Sequence, residues 1–393
     1  MNWSLSQRAK NLSPSPTLAV TARAKALRAA GKNIIGLGAG EPDFDTPEHI
    51  KQAAIQAIHD GFTKYTAVDG TPTLKLAIRE KFQRDNKLTY QDDQILVSCG
   101  GKHSFYNLAQ ALLEEGDEAI IPAPYWVSYP PIVELANATP IIINATMEQG
   151  FKITPQQLEQ AITPRTKMMV INSPSNPTGA VYSQVELQAL GAVLAKYPHV
   201  LIVTDDIYES IVWETPPCTN ILSVCPELYE QTMVLNGVSK TYSMTGWRIG
   251  YAAGPAPLIR AMKIIQSQST SNPTSIAQVA AEVALKSDQF CITQMVKAFT
   301  ERYHIIHQRL NKLPDIHCAP AQGAFYLFPD FREVIQKHPS ANNDIAYAEW
   351  LLEEAEVALV PGSAFGAPGF MRLSIATSLD NLTEALNRIE NVL

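Results

Sequence analysis

One stretch, NGVSKTYSMTGWRIGY from Asn236 to Tyr251, sets a lysine and an arginine eight residues apart in a segment otherwise almost free of charge. The apolar run before it, MVLNG, reads as a buried strand, and WRIGYAAG reads as the next. Lys240 and Arg248 therefore flank a tight connection at a strand end, where side chains point into a crevice. An amine placed there loses hydration, so its pKa falls and the free base can condense with a carbonyl. A guanidinium nearby offers a planar fork of donors to a phosphate. The fold must bring these two cations to something that uses both.

At 393 residues the chain exceeds what one core usually organises, and a hydrophobic content of 46% is enough for two domains. The formal charge is −7, with no block of consecutive Lys or Arg and no aromatic residues interleaved with basic ones. Nucleic acid and acidic lipid surfaces are therefore not expected as partners. Cys99, Cys218, Cys225, Cys291 and Cys318 are scattered, without a CxxC pair or a His at ligand spacing, so they read as free thiols and no metal site is expected. The polar N-terminus lacks an apolar signal core, and no run of about eighteen apolar residues occurs, which makes a cytoplasmic location the expectation.

Taken in order, residues 1 to about 30 read as an arm, SPSPT, followed by a helix, LAVTARAKALRAAGK, that ends at Gly31. In NIIGLGAGEPDFDTPEHI a short strand runs into a turn before a helix opened by Pro47; Gly40 there either makes a plain turn or brings backbone N–H to an anion. Tyr65 stands at the entrance of KYTAVDGTPTLKLAI, a glycine turn leading into an amphipathic helix. QILVSCGGKHSFYNLAQALL reads as a strand, the pair Gly100 and Gly101, and a helix with Phe105, Leu108, Ala109 and Leu112 on one face. Glycines at a helix N-terminus let free N–H groups approach an anion closely. Trp126 reads equally as a core ring or as a ring stacked on a flat cofactor. Asn176, in the SPSNPTG turn after the strand TKMMVIN, can donate its amide to an oxygen. The strand VLIVT ends in Asp205 and Asp206, with Tyr208 beyond; no convergent ligands favour a metal, whereas a carboxylate facing a ring nitrogen would keep it protonated. Alternation in GFMRLSIATS puts Phe370, Arg372 and Ser374 on one strand face, and the fork of Arg372 suits a carboxylate.

Pyridoxal 5′-phosphate carries both an aldehyde for the lysine and a phosphate for the arginine. SK-x-Y-x-MTGWR-x-GY resembles the lysine motif of class I, fold-type I aminotransferases, the aspartate aminotransferase superfamily. GEPDFDTP, PYWVSY, SPSNPTG, the Asp205 to Tyr208 pair and the Arg372 segment are similar, in order and spacing, to motifs of its prokaryotic aspartate aminotransferase subgroup, class Ib. The resemblance implies the α/β architecture of fold type I: a large domain with a mostly parallel sheet over 46–285, and a smaller α+β domain built from both termini, 1–45 with the arm and 286–393.

The same resemblance implies roles. Lys240 would hold the cofactor as a covalent imine, Asp205 its ring nitrogen, and Asn176 and Tyr208 its phenolic oxygen. Trp126 would cover the ring, while Gly100, Gly101, Lys102, Ser239 and Arg248 would surround it and its phosphate. Tyr65 would reach the phosphate of a neighbouring subunit, which implies a homodimer with shared sites. Gly40, Trp126, Asn176 and Arg372 would contact the substrate. His103 stands where the subgroup often has Gln, and Gly237 where some relatives carry a phosphate-binding serine, so the roles of His103 and Ser239 stay open. The implied activity is ping-pong transamination between amino acids and 2-oxo acids, first of all aspartate with 2-oxoglutarate; Lys102, just past the glycine pair, can meet a distal carboxylate. Thr17 matches a position linked to dicarboxylate and prephenate use, while Ser13 replaces a lysine of prephenate-using relatives. Alternatives are aromatic, prephenate or alanine substrates, or a carbon–sulfur β-lyase.

Overall fold

Short apolar runs, each stopped by Gly, Pro, Asn or Asp, form the strands. The computed structural model describes residues 3–14, 16–213 and 219–393, and Cys218 lies outside them. In chain order the strands are β1 (Ile35–Gly36), β2 (Ile95–Ser98), β3 (Glu118–Ala123), β4 (Thr139–Asn144), β5 (Thr166–Asn172) and β6 (Leu201–Asp205), then β7 (Thr232–Gly237), β8 (Gly250–Ala253), β9 (Tyr326–Leu327), β10 (Val357–Ala358), β11 (Val360–Pro361) and β12 (Met371–Ser374). β2 to β8 make one sheet in the order β2-β8-β7-β6-β5-β3-β4. Its pairings are parallel except that β8 runs antiparallel to both neighbours, β2 and β7. The chain passes from β7 to β8 without an α-helix, and a parallel return would need a crossover element. That short return is the segment holding Lys240 and Arg248.

The registers Asn172↔Asp205 and Asp205↔Leu235 bring the carboxyl ends of β5, β6 and β7 level. Loops leaving such an edge converge on one crevice. The helices α1 (Gln7–Asn11), α2 (Pro16–Ala29), α3 (Glu48–His59), α4 (Pro72–Lys81) and α5 (Gly101–Leu112) lead the rest. Ser6 caps α1, a five-residue turn in the arm that buries nothing and that apolar spacing does not foretell. Pro47 is the N-cap of α3, and Thr71 caps α4 by accepting from Leu74 N–H, with Pro72 in its first turn. On α5, Phe105, Leu108 and Ala109 are wholly buried, and Leu112 packs partly buried at the edge of the same cluster.

A separate core gathers Met295, Phe299, Ile306 and Leu386 with Ile35 and Leu37 from near the N-terminus. β1 pairs with β10, which ties the two ends of the chain together. β12 lies between β11 and β9, so Arg372 sits on a central strand and not at a sheet edge. Ser374 N–H donates to Leu37 O, joining β12 to the segment that leads to Gly40.

Gly250 shows how closely this sheet meets α5: a Cβ there would stand 2.2 Å from Gly101 N and 2.4 Å from the Gly100 carbonyl carbon. Backbone cannot yield as a flexible side chain can. Gly250→Ala is expected to cost about 1–3 kcal/mol by overpacking, read as a lower urea midpoint. Gly246→Ala, where a Cβ meets nothing within 4 Å, should leave the midpoint unchanged.

Candidate active site

A cleft of about 370 Å³ opens where the ends of β5, β6 and β7 face the N-terminus of α5, Gly40 and β12. It brings together Gly40, Gly101, Lys102, Trp126, Asn176, Asp205, Tyr208, Ser239, Lys240, Arg248 and Arg372, which lie far apart in the chain. Two expected residues are not in its lining. Gly100 lies directly behind Arg248, and Tyr65 is 91% exposed on the outer surface.

Lys240 points across the cleft floor and donates to the carbonyl oxygen of Gly40. Burial of the amine pushes its pKa down to about 8; Glu41 and Asp205 pull it up, and Arg248 and Arg372 push it further down. Gly40 thus shows this amine its carbonyl, and a Cβ on it would come within 3.0 Å of the Tyr326 hydroxyl.

Asp205 ends β6 with its carboxylate turned into the cleft. Tyr129 OH donates to Oδ2 at 2.6 Å and Ile207 N–H to Oδ1 at 3.3 Å. Loss of hydration still raises its pKa, against the pull of these donors and of Lys240. Asp206 is absent from the lining: Thr204 OH and Asn220 Nδ2 donate to it, and burial together with Glu209 pushes its pKa up to about 7. Tyr208 is buried, with its hydroxyl 2.9 Å from that of Tyr326.

Arg372 is only 2% exposed. Its Nη1 donates to Asn176 Oδ1 at 2.9 Å and its Nη2 to Gly38 O at 2.7 Å, while its Nε is buried without a partner among the described residues. The guanidinium lies over the rings of Tyr326, at 4.5 Å, and Phe365, at 5.0 Å. Asn176 is in turn set by its backbone N–H, which donates to Asn172 Oδ1 at 2.9 Å, and Asn172 Nδ2 donates to Asp205 O at 2.9 Å.

At the other end of the cleft, Gly100 caps α5 with φ 87°, a conformation that exposes the first N–H groups of the helix. A Cβ on Gly100 would stand 2.3 Å from Arg248 Nη2, so the arginine can lie against the loop only because glycine is there. Arg248 is itself left-handed, φ 56°, and its guanidinium donates to Thr245 O at 2.8 Å and Cys99 O at 3.4 Å. Lys102 reaches over Trp126, its Nζ 5.2 Å from the ring. Free N–H groups at a helix N-terminus beside two cations make an arrangement that suits an anion. His103 lies outside the lining: its Nδ1 accepts Cys99 N–H at 3.3 Å, which stabilises the loop. Ser239 is buried in the lining, and its carbonyl closes the turn by accepting Met244 N–H at 3.0 Å.

Tyr129, Asn172 and Tyr326 were not legible as site residues. Each stands within or beside an ordinary apolar segment, and each matters for what the fold sets next to it.

Residues 32–389 match the family described as aminotransferase class I and II. The chain is 61% identical over 394 aligned positions, 99% of each chain, to the aspartate/prephenate aminotransferase of Nitrosomonas europaea. It resembles the crystal structure of the aspartate aminotransferase from Rhizobium meliloti with a TM-score of 0.95 and 47% identity, covering 99% of this chain and 98% of that one. It also resembles the aspartate aminotransferase of Thermus thermophilus with maleate, at a TM-score of 0.94 and 42% identity over the whole of both chains.

Lys240 should behave as an amine that titrates near pH 8 and not as an ordinary lysine. Below that pH the protonated amine has no lone pair to offer, so its trapping by an aldehyde and borohydride should rise with pH and be half-maximal near 8. Mass spectrometry of the peptide carrying Lys240 measures this. A midpoint near the ordinary lysine value of about 10.4 would mean the amine is hydrated.

Proposed function

Because the chain belongs to the class I and II aminotransferase family, we propose that it binds pyridoxal 5′-phosphate and transfers the amino group of aspartate to 2-oxoglutarate, as a homodimer. The observation that carries this reading is Lys240, whose amine donates to Gly40 O in the same cleft as the α5 N-terminus with Arg248 and a buried, incompletely bonded arginine, and whose burial pushes its pKa down to about 8. The Nitrosomonas relative is named for aspartate, and the Thermus relative was solved with maleate, a four-carbon dicarboxylate. Lys102, at the exposed edge of the cleft, suits a distal carboxylate. The reading keeps a large domain at 46–285 and a small one from 1–45 and 286–393, in line with the separate core of the C-terminal region.

The residues fit the cofactor. The α5 N-terminus and Arg248, packed where Gly100 leaves no room for a Cβ, would hold its phosphate. Asp205, whose proton affinity is raised and whose bonded donors are neutral, suits a protonated ring nitrogen. Trp126 would cover the ring, and Asn176 and Tyr208 would flank its phenolic oxygen. When bound, this cofactor supplies an aldehyde that takes up the amino group and a ring that accepts electrons from Cα.

The chain's own residues do the rest. Arg372 holds the α-carboxylate of the amino acid through its planar fork, with Nε as the donor still unused. The rings of Tyr326 and Phe365 lie close to the guanidinium and hold its orientation, which would fix how a bound carboxylate sits in the cleft shared with Lys240. Lys240 Nζ then takes the proton from the donor's Cα, and in the second half of the cycle gives a proton to the corresponding carbon of the 2-oxo acid. A pKa near 8 lets one amine do both at neutral pH.

Tyr65 supports the dimer. Its loop is fastened by Val97 N–H to Asp69 O at 3.1 Å and by Gln278 Nε2 to Thr66 Oγ1 at 3.0 Å, yet Tyr65 itself is 91% exposed. An ordered, outward-pointing tyrosine suits the cleft of a second copy. Prephenate as an amino acceptor is the second reading, because the 61% identical relative is named for it and the buried Thr17 hydroxyl in the lining has no partner among the described residues.

Lys240→Ala should abolish turnover and the absorbance that depends on the covalent link between cofactor and lysine; normal rates in this variant would end the assignment. Arg372→Lys, which keeps the charge but loses the fork, is expected to lower kcat/KM by about 10²-fold for every amino acid, a cost of about 2–3 kcal/mol. A panel of donors with 2-oxoglutarate or prephenate decides the substrate. Product formed from aspartate should require the acceptor, whereas pyruvate and ammonia released without one would reveal a lyase.

A further inference from the structure

Behind the cleft floor a carboxylate joins the two segments that carry most of its chemistry. The β6–β7 ladder ends at Asp205↔Leu235, and beyond it the chain leads one way to Tyr208 and the other way to Lys240. Glu209, its side chain 13% exposed, spans the gap. It accepts from Asn236 Nδ2 at 2.5 Å, from Asn86 Nδ2 at 2.8 Å and from Lys81 Nζ, whose side chain is 5% exposed. Asn236 lines the cleft, and its Oδ1 accepts Gly237 N–H at 2.7 Å, which leaves Glu209 as the partner of its other end. Lys81 also donates to Asn86 Oδ1 at 2.7 Å. Lys81 and Asn86 reach the same carboxylate because α4 runs directly into a π turn, Phe82–Asn86, closed by left-handed Lys87 with φ 60°. Such wide turns are costly and recur at functional sites.

We propose that Glu209, with Lys81 as its counterion, is a positioning residue for the amine of Lys240: it pins the end of β7 to the Asp205–Tyr208 turn and so sets how far Lys240 reaches into the cleft. The proposal rests on the reading of Lys240 as the amine that binds the cofactor. A carboxylate can accept from all three donors at once, and an amide of the same shape cannot. With glutamine at 209, one amide NH₂ must face a donor, and Asn236 cannot turn round because its oxygen is committed to Gly237. The end of β7 then loosens, and Lys240, which faces Glu41, Asp205, Arg248 and Arg372, gains water.

The test uses the full-length chain in five forms: wild type, Glu209→Gln, Glu209→Asp, the double variant Lys81→Met/Glu209→Gln, and Glu118→Gln. Glu118 is a comparable carboxylate, 6% exposed and bonded to Arg165 and Thr163, at the opposite end of the sheet. Uptake of pyridoxal phosphate is followed by absorbance across pH, the Lys240 adduct is trapped with borohydride and located by mass spectrometry, and kcat and KM are measured. Glu209→Gln and the double variant should raise the midpoint of uptake by about one pH unit, which makes uptake about tenfold slower at pH 7. They should lower kcat with KM nearly unchanged, and Glu209→Asp should recover part of both. Glu118→Gln should lose stability and keep the wild-type midpoint. Should Glu209→Gln fail to fold, the double variant decides, since it removes the buried cation together with the carboxylate that paired it, and Asp206 loses the repulsion of Glu209 along with the attraction of Lys81. Folded variants with the wild-type midpoint and kcat overturn the proposal while leaving Lys240's role intact, as does an equal shift in Glu118→Gln. A wild type without a Lys240 adduct overturns this proposal together with the reading beneath it.

Discussion

The structure turns on how little water is left to one amine. A lysine removed from solvent becomes harder to charge, and Lys240 is held in that condition by a carbonyl, two carboxylates that favour the cation and two guanidiniums that oppose it. These groups come from distant parts of the chain: Gly40 and Glu41 from the N-terminal segment, Asp205 from β6, Arg248 from the turn before β8 and Arg372 from β12. Small displacements of any of them would alter the balance. This gives a physical reason for the close packing of Arg248 on Gly100 and of Gly250 on the Gly100–Gly101 backbone, where neither Gly100 nor Gly250 leaves room for a Cβ.

Arg372 and Asp205 form the second half of this arrangement. Among the described residues Arg372 makes no ion pair; its bonds run to an amide oxygen and a backbone carbonyl, and two aromatic rings face its guanidinium. The donors bonded to Asp205 are equally neutral, a phenol and a backbone N–H. A buried charge left without its opposite is costly to the folded chain. The same deficit suits the proposed function: a carboxylate brought to Arg372 and a cation brought to Asp205 would each meet a group already oriented and already stripped of water. The well-packed cores on either side offset that cost.

Around this centre a second layer fixes orientation. Asn172 spaces Asn176 from Asp205, Tyr326 supports both Tyr208 and Arg372, and Glu209 bridges the turns beyond β6 and β7. None of the three stands out by residue type. Each acts by touching two groups at once, a property of the assembled fold alone.

Much of the site was legible in the residue order, because the groups that carry its chemistry sit in local patterns whose physics is local. Lys240 and Arg248 announce themselves as charges in an apolar turn, Gly100 and Gly101 as glycines opening a helix, Asn176 and Asp205 as polar residues ending apolar strands, and Arg372 as a cation inside an alternating strand. The parallel strands and the helices between them follow from the same periodicity. What the order could not tell was decided by contacts between distant segments: the reversed direction of β8, the central place of Arg372 in its sheet, the turning of Gly40's carbonyl toward Lys240, the π turn after α4, and the roles of Tyr129, Asn172, Tyr326 and Glu209. Periodicity and turn chemistry depend on neighbours along the chain, whereas burial, charge balance and hydrogen-bond partnership depend on neighbours in space, and only the folded chain supplies those.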